Sequence, residues 1–422
     1  MSLRTLAILT LSWCLGATAQ EADHVRGTAR KYVKNLTAPA LHGRGYVMNG
    51  DGLAAEWIAQ QFVGMGLKPL KADHFQPFQF NVNTFPDSMR VSLDGRSLTA
   101  GVDFIVDPAS GSANGTFNLV HLTPADVLDP ARRSMSMGVL SGHAACLHFP
   151  ATTDADTLRL YGEVERELMY FGPVVKQAQG KLTWGVAQEA RPFPLIEVAG
   201  AALTDSTESI TLNVRNVMRP RHEARNVLGW VKGRSNKWVV VGAHYDHLGR
   251  MGSEALFPGA NDNASGVAMM LALAEWFAKH KPKYNMLFVA FAGEEAGLVG
   301  SEWFMVDRLV QASQIKLMLN LDILGTGDDG ITVVNATAQP KLFDQLVAIN
   351  GERKLLAQVK ARGPACNSDH CPFVKRNVPA LFVYSMGGIA AYHDVLDREE
   401  TLPLTEFADL YALLKEFLTI LK

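Results

Sequence analysis

The stretch "FVAFAGEEAGLVGS", Phe288 to Ser301, carries an apolar run straight into two adjacent carboxylates, Glu294 and Glu295, and then turns on Gly297 and Gly300. The run reads as a buried strand. Like charges side by side repel, and burying either one without a partner is costly. A compensating group is therefore expected close to this strand end.

The flanking sequence sets the fold. From Asn226 onward apolar strands alternate with helices: "KWVVVGAHYD", then "SGVAMMLALAEWFAKH", "NMLFVAFA", "SEWFMVDRLV" and "KLMLNLDIL", with "PALFVYS" ahead of a final helix over 404–421. Apolar strands alternating with helices predict an α/β fold, a mostly parallel mixed sheet covered by helices on both faces. Functional groups in such sheets gather at the carboxyl ends of the strands. Upstream, "HVRGTARKYVKNL" and "GLAAEWIAQQFVGMGL" show helical spacing, the second closing on Gly66 as a C-cap. Between about Asn81 and Met218 the texture changes to short alternating runs broken by Gly, Pro, Asp and Asn. This middle part is expected to be a smaller, β-rich inserted domain with one helical stretch near "LYGEVERELMYFGPVVKQAQG".

At 422 residues, with 48% hydrophobic and 19% charged content, the chain has the composition of a globular protein with a sizeable core. A net charge of -2 without a Lys/Arg stripe argues against nucleic acid as a partner. The first twenty residues place Arg4, an apolar core over 6–16 and Ala17-Thr18-Ala19 in the order of an export leader. A leader over 1–19 implies a secreted or periplasmic protein with no membrane span after its removal. Cys146, Cys366 and Cys371 would remain. Cys366 and Cys371 are close enough to form a small disulfide loop, with Cys146 a leftover buried thiol.

The polar residues at the strand ends carry the chemistry. "VVVGA" runs into His244, Tyr245 and Asp246; "LFVAFA" into Glu294 and Glu295; "LMLNL" into Asp322. Asp262 lies in the Gly- and Asn-rich turn "PGANDNASG" ahead of a helix, and His393 follows the last strand in "AAYHDVLD". One such residue is an ordinary cap; five on one sheet edge suit a pair of divalent metals. Zinc takes imidazole nitrogen and carboxylate oxygen, and two ions about 3.5–4 Å apart need a shared carboxylate between them. One glutamate of the pair would then be a ligand and its neighbour a general base.

"GAHYDHLG", "PGANDNASG", "FAGEEAGLVGS", "LNLDILG", "NSDHCPF" and "AAYHDVLD", in this order from Asn226 to the C-terminus, resemble the co-catalytic two-zinc exopeptidases of the secreted bacterial leucyl-aminopeptidase type. "LHGRG" and "GLKPL" are similar to the family's N-terminal part, and "GPVVKQAQGKLTWGVAQEARPFPLIEV" resembles the end of a protease-associated domain. The resemblance implies a peptidase domain formed by 20–80 and 223–422 around an insert over 81–222. It implies two Zn2+ per chain, one held by His244 and Asp322, the other by Glu295 and His393, with Asp262 bridging. Cobalt or manganese could occupy the same donors. Glu294 would be the general base, Asp246 the carboxylate that orients His244, and Tyr392 a stabiliser of the oxyanion. His247 has no ligand counterpart in the family pattern, and Ser368 to His370 fit a loop-ordering role.

The implied activity is removal of residues from peptide N-termini. A carboxypeptidase of the same clan would want a cluster of arginines in the motif loops, and the motif loops hold none. Glutaminyl cyclisation uses one zinc, against the full set of five ligands here. A binding module on the same scaffold would have lost ligands or the base.

Overall fold

The computed structural model describes residues 3–421; the leader expected over 1–19 lies outside the residues whose side chains are described. Eight strands form the main sheet, in the order Phe75–Thr84, Val217–Val231, Asn285–Phe291, Trp238–His244, Ile315–Leu321, Ala380–Ser385, Ile331–Val334, Val359–Ala361. The four central strands run parallel, from Asn285–Phe291 to Ala380–Ser385. Antiparallel strands flank them on both sides. The fold is the expected mixed α/β class.

Alternation along the central strands supplies two cores. Val239, Val241 and Ala243 face helices Gly266–Lys279, Phe407–Ile420 and Gly50–Gly64 and the helical residues 25–36. Val240, Leu287, Val289 and Phe291 face Phe304, Met305 and Phe373 on the other side. Both faces are covered, so the central strands carry almost unbroken apolar runs.

A second eight-stranded sheet forms the middle of the chain, from Arg90–Leu93 to Ser209–Val214. It is reached through Phe75–Thr84 and left through Val217–Val231, which pair antiparallel from Thr84↔Val217 to Phe75↔Val227. The expected boundaries at 81 and 222 fall inside these arms, at the place where their pairing shifts register between Phe80 and Val82. The segment also holds more helix than its sequence texture suggests. Besides Ala155–Leu168, a helix spans Pro130–Gly138, started by Asp129 accepting from the Arg132 amide. That helix buries none of its residues, so it leaves no apolar period to read.

The two sheets share a core. Leu248, Met251, Phe257 and Val395, from segments between strands of the main sheet, two of them in the small hairpin Gly249–Met251 with Ala255–Phe257, are buried among Phe85, Phe104, Trp184 and Ile196 of the insert. The Trp184 and Phe257 rings lie 4.8 Å apart. The insert is thereby packed against the loops at the carboxyl ends of the central strands. Cys366 and Cys371 form a disulfide, and Cys146 is free and buried.

Candidate metal centre

The central strands deliver their polar residues to one place. His244 ends the strand Trp238–His244, and Asp322 directly follows Ile315–Leu321. Glu294 and Glu295 come just after Asn285–Phe291, Asp262 lies in the turn Ala260–Ser265 before helix Gly266–Lys279, and His393 sits in the loop beyond Ala380–Ser385. His244 Nε2 is 3.3 Å from Asp262 Oδ1 and 3.3 Å from Asp322 Oδ1. His393 Nε2 is 2.9 Å from Asp262 Oδ2 and 3.2 Å from Glu295 Oε2. The Asp262 carboxylate therefore stands between two donor sets and turns one oxygen to each.

The histidine tautomers follow from their outer partners, since a carbonyl can only accept. His244 Nδ1 donates to the Asp246 carbonyl at 3.1 Å, and His393 Nδ1 donates to the Trp184 carbonyl at 3.1 Å. In both rings Nε2 is left to face the carboxylates, the arrangement metal-binding imidazoles use. Asp397 accepts from the Asn261 and Asp262 amides and fixes the turn. Ser368 donates to Asp322 Oδ2 at 2.7 Å and is itself held by Asn320.

The site holds an excess of buried negative charge. Asp246, Asp262, Asp322 and Asp369 are all buried beside the glutamate pair. Burial lifts the Glu294 carboxyl well above the usual carboxylate range, with His244 opposing and Asp369, Glu295 and Asp322 adding to the lift. Burial also works against charge on Asp262, yet hydrogen bonds from His244 and His393 hold it well below that range. Burial and Asp262 likewise oppose charge on Glu295, but His393 and a bond from His247 bring it down to about 2. His393, though desolvated, is raised to about 11 by Glu295 and Asp262. Such a cluster calls for more positive charge than two imidazoles supply. Hard oxygen and borderline nitrogen donors split into two sets about one carboxylate are a donor set that fits two zinc-like ions.

One expected assignment changes, and the surroundings of two further residues become clear. The Asp246 carboxylate does not touch His244; it accepts from the Glu294 and Glu295 amides at 3.1 and 3.2 Å and from the Tyr46 hydroxyl at 2.6 Å. The reason is register: His244 lies opposite Phe291, so Asp246 reaches the peptide bonds that follow that neighbouring strand. His247, with no ligand role expected, is buried and donates through Nδ1 to Glu295 Oε1 at 2.8 Å. Its ring fills the space where a Cβ at Gly259 would stand, 2.4 Å away, and Gly259 has φ 61°. Tyr392 lies flat on the His393 ring, centroids 4.0 Å apart, and is partly exposed.

Several positioning residues escape sequence reasoning. Arg44, fully buried, donates to the carbonyls of Leu36, Tyr245, Pro258, Gly259 and Asp262, which frame the site. It belongs to the "LHGRG" stretch, where a lone arginine among glycines is the available signal. Lys181 and Trp184 of the insert hold the loop that carries His393. Lys181 donates to the Ala390 and Tyr392 carbonyls and to Asp394 Oδ2 at 2.8–2.9 Å, and the Trp184 amide donates to the His393 carbonyl. Nothing in the sequence marks either residue.

Acidic and imidazole side chains thus gather at the carboxyl edge of a helix-covered sheet, a donor set suited to divalent metals. Residues 226–418 match the Peptidase family M28 model. A probable leucine aminopeptidase of Arthroderma otae is 32% identical over 193 residues, 43% of this chain and 54% of the relative. The chain thus matches about half the length of that relative, and less of others. The fold is shared along nearly the whole chain with solved structures. A Peptidase M28 precursor from Shewanella amazonensis SB2B superposes with TM-score 0.72 at 17% identity, covering 96% of each chain. BSAP, a zinc aminopeptidase from Bacillus subtilis, gives 0.69 at 20% identity over 94% of this chain and 96% of its own.

Proposed function

We propose that the protein is an exported aminopeptidase that removes residues from peptide N-termini with two zinc ions per chain. The observation that carries this reading is the Asp262 carboxylate, whose Oδ1 faces His244 and Oδ2 faces His393. In this reading His244 and Asp322 would hold one ion and Glu295 and His393 the other, with Asp262 shared between them. The ions, when bound, activate a water and polarise the scissile carbonyl. Glu294 takes the proton of the attacking water on its carboxylate and hands it to the departing amine. Asp246 keeps Glu294 in place through its amide, and His247 steadies Glu295. Tyr392, resting on His393, offers its hydroxyl to the developing oxyanion. The relatives' printed activities and the leader-like first residues support the aminopeptidase and export readings.

The test pairs a leucine-initiated peptide with its N-acetylated twin, with and without chelator, read by mass spectrometry. Stepwise loss from the free N-terminus alone, stopped by chelation, is the expected result. Shortening of both peptides from the C-terminal end would replace this reading with a carboxypeptidase.

A further inference from the structure

A second cluster of metal-ligating side chains lies in the insert, on the strands Ala113–Leu122 and Ala144–Leu147. The two strands pair in parallel, with His121 opposite Cys146. His148 lies two residues beyond Cys146, and strand alternation returns it to the same face. The three side chains meet with donor atoms within 4.8 Å of one another. His121 Nδ1 is 2.7 Å from His148 Nε2, and Cys146 Sγ is 3.4 Å from the same nitrogen.

The outer contacts decide what these atoms are. His121 Nε2 lies 2.8 Å from the Thr207 carbonyl, which can only accept, so the ring's proton is there and Nδ1 is bare. His148 Nδ1 faces the Asp205 carboxylate at 3.1 Å, so Nε2 is bare in its turn. Two lone pairs then point at each other across 2.7 Å, with a thiol beside them. That arrangement is repulsive unless a further proton or a metal cation sits between. A carboxylate on one imidazole and a carbonyl on the other are the outer partners that orient histidine ligands.

We propose that His121, Cys146 and His148 form a metal site of the zinc class, separate from the centre at the main sheet. Nitrogen ligands around a tetrahedral zinc are about 3.3 Å apart, given Zn–N near 2.0–2.1 Å. The His121–His148 gap would widen by about half an ångström, a shift the exposed His121 ring can make. Two imidazoles and a thiolate select zinc-like ions over calcium or magnesium. On binding, Cys146 releases its thiol proton to solvent and its sulfur donates the lone pair; the fourth position is open to water. The bound ion would clasp the two strands to the loop carrying Asp205 and Thr207.

Cobalt(II) tests this on the full chain, stripped of metal and then titrated. The proposed ligands at the main sheet are oxygen and nitrogen, so thiolate-to-cobalt absorption in the near ultraviolet reports the insert site alone. The expected result is that band in the native chain, its loss in Cys146→Ser and its displacement by added Zn2+. His121→Ala should cut the bound cobalt by one equivalent. Asp205 is exposed, and Asp205→Asn should weaken cobalt binding about 10- to 100-fold while leaving the thiol intact. Should Cys146→Ser fail to fold, these two surface variants decide. A native chain without the thiolate band at excess cobalt, or a band that survives His121→Ala and Asp205→Asn unchanged, would overturn the proposal and leave a proton shared between the rings.

Discussion

Replacing Lys181 by Met should weaken metal binding at one half of the centre without touching any ligand. The Lys181 ammonium ties down the 390–394 loop through two carbonyls and the Asp394 carboxylate. Charge-assisted bonds contribute roughly 1.5–3 kcal/mol each when buried. The Lys181 side chain is 46% exposed, so solvent screening leaves roughly 1–1.5 kcal/mol for the whole contact. That loss falls on the segment presenting His393, and 1.4 kcal/mol is a factor of about ten in a binding constant. Zinc affinity at the Glu295–His393 side should drop about tenfold, within the range for disturbed outer contacts. The His244–Asp322 side should keep its affinity, because its supports come from Asp246, Ser368 and Arg44. The assay is peptide hydrolysis against buffered free zinc. The activation curve should shift to higher zinc and reach the native plateau. A curve that does not move within about twofold would refute the claim that the insert positions His393. So would a lowered plateau at full metal content, which would place Lys181 in the chemistry.

Glu294→Gln should keep its metals and lose about 10²–10⁴ in kcat, checked by elemental analysis beside the rate; a loss under tenfold would remove Glu294 from proton transfer. Tyr392→Phe should lower kcat about 10²-fold with KM little changed if the hydroxyl serves the oxyanion, whereas a change under about threefold would leave the ring as packing against His393. Arg44→Met would remove five buried hydrogen bonds, leaving the Gly259 carbonyl only its bond from the Ala264 amide, and should cost about 4 kcal/mol or more, read as a collapse in folded yield or Tm. A Tm within a few degrees of the native chain would show those carbonyls rehydrated.

What was legible in the sequence was what repeats or terminates. The apolar runs Val239–Ala243, Met286–Phe291 and Leu317–Leu321 had one reading as strands covered on both faces, and each polar residue at their ends inherited a position from that reading. Asp262 and His393 were legible by motif, since both lie on loops that periodicity does not place. The role of the Asp246 carboxylate was not legible, because it depends on the register between two strands far apart in sequence. The outer contacts were harder still. Trp184 and Lys181 act through a backbone carbonyl and an ammonium that reach across to another sheet, and no local pattern encodes that meeting.

The same contacts bear on why the insert is there. A domain joined by two antiparallel arms and sharing a buried core with the loops of the main sheet is not free to swing as a lid about a hinge. Its Trp184 carbonyl sets the tautomer of His393, and its Lys181 closes the loop that carries that ring. The insert therefore completes the centre from outside the main sheet. If the His121–Cys146–His148 cluster takes up an ion, the insert's own rigidity, and through it the aim of His393, would depend on a metal that never meets the substrate.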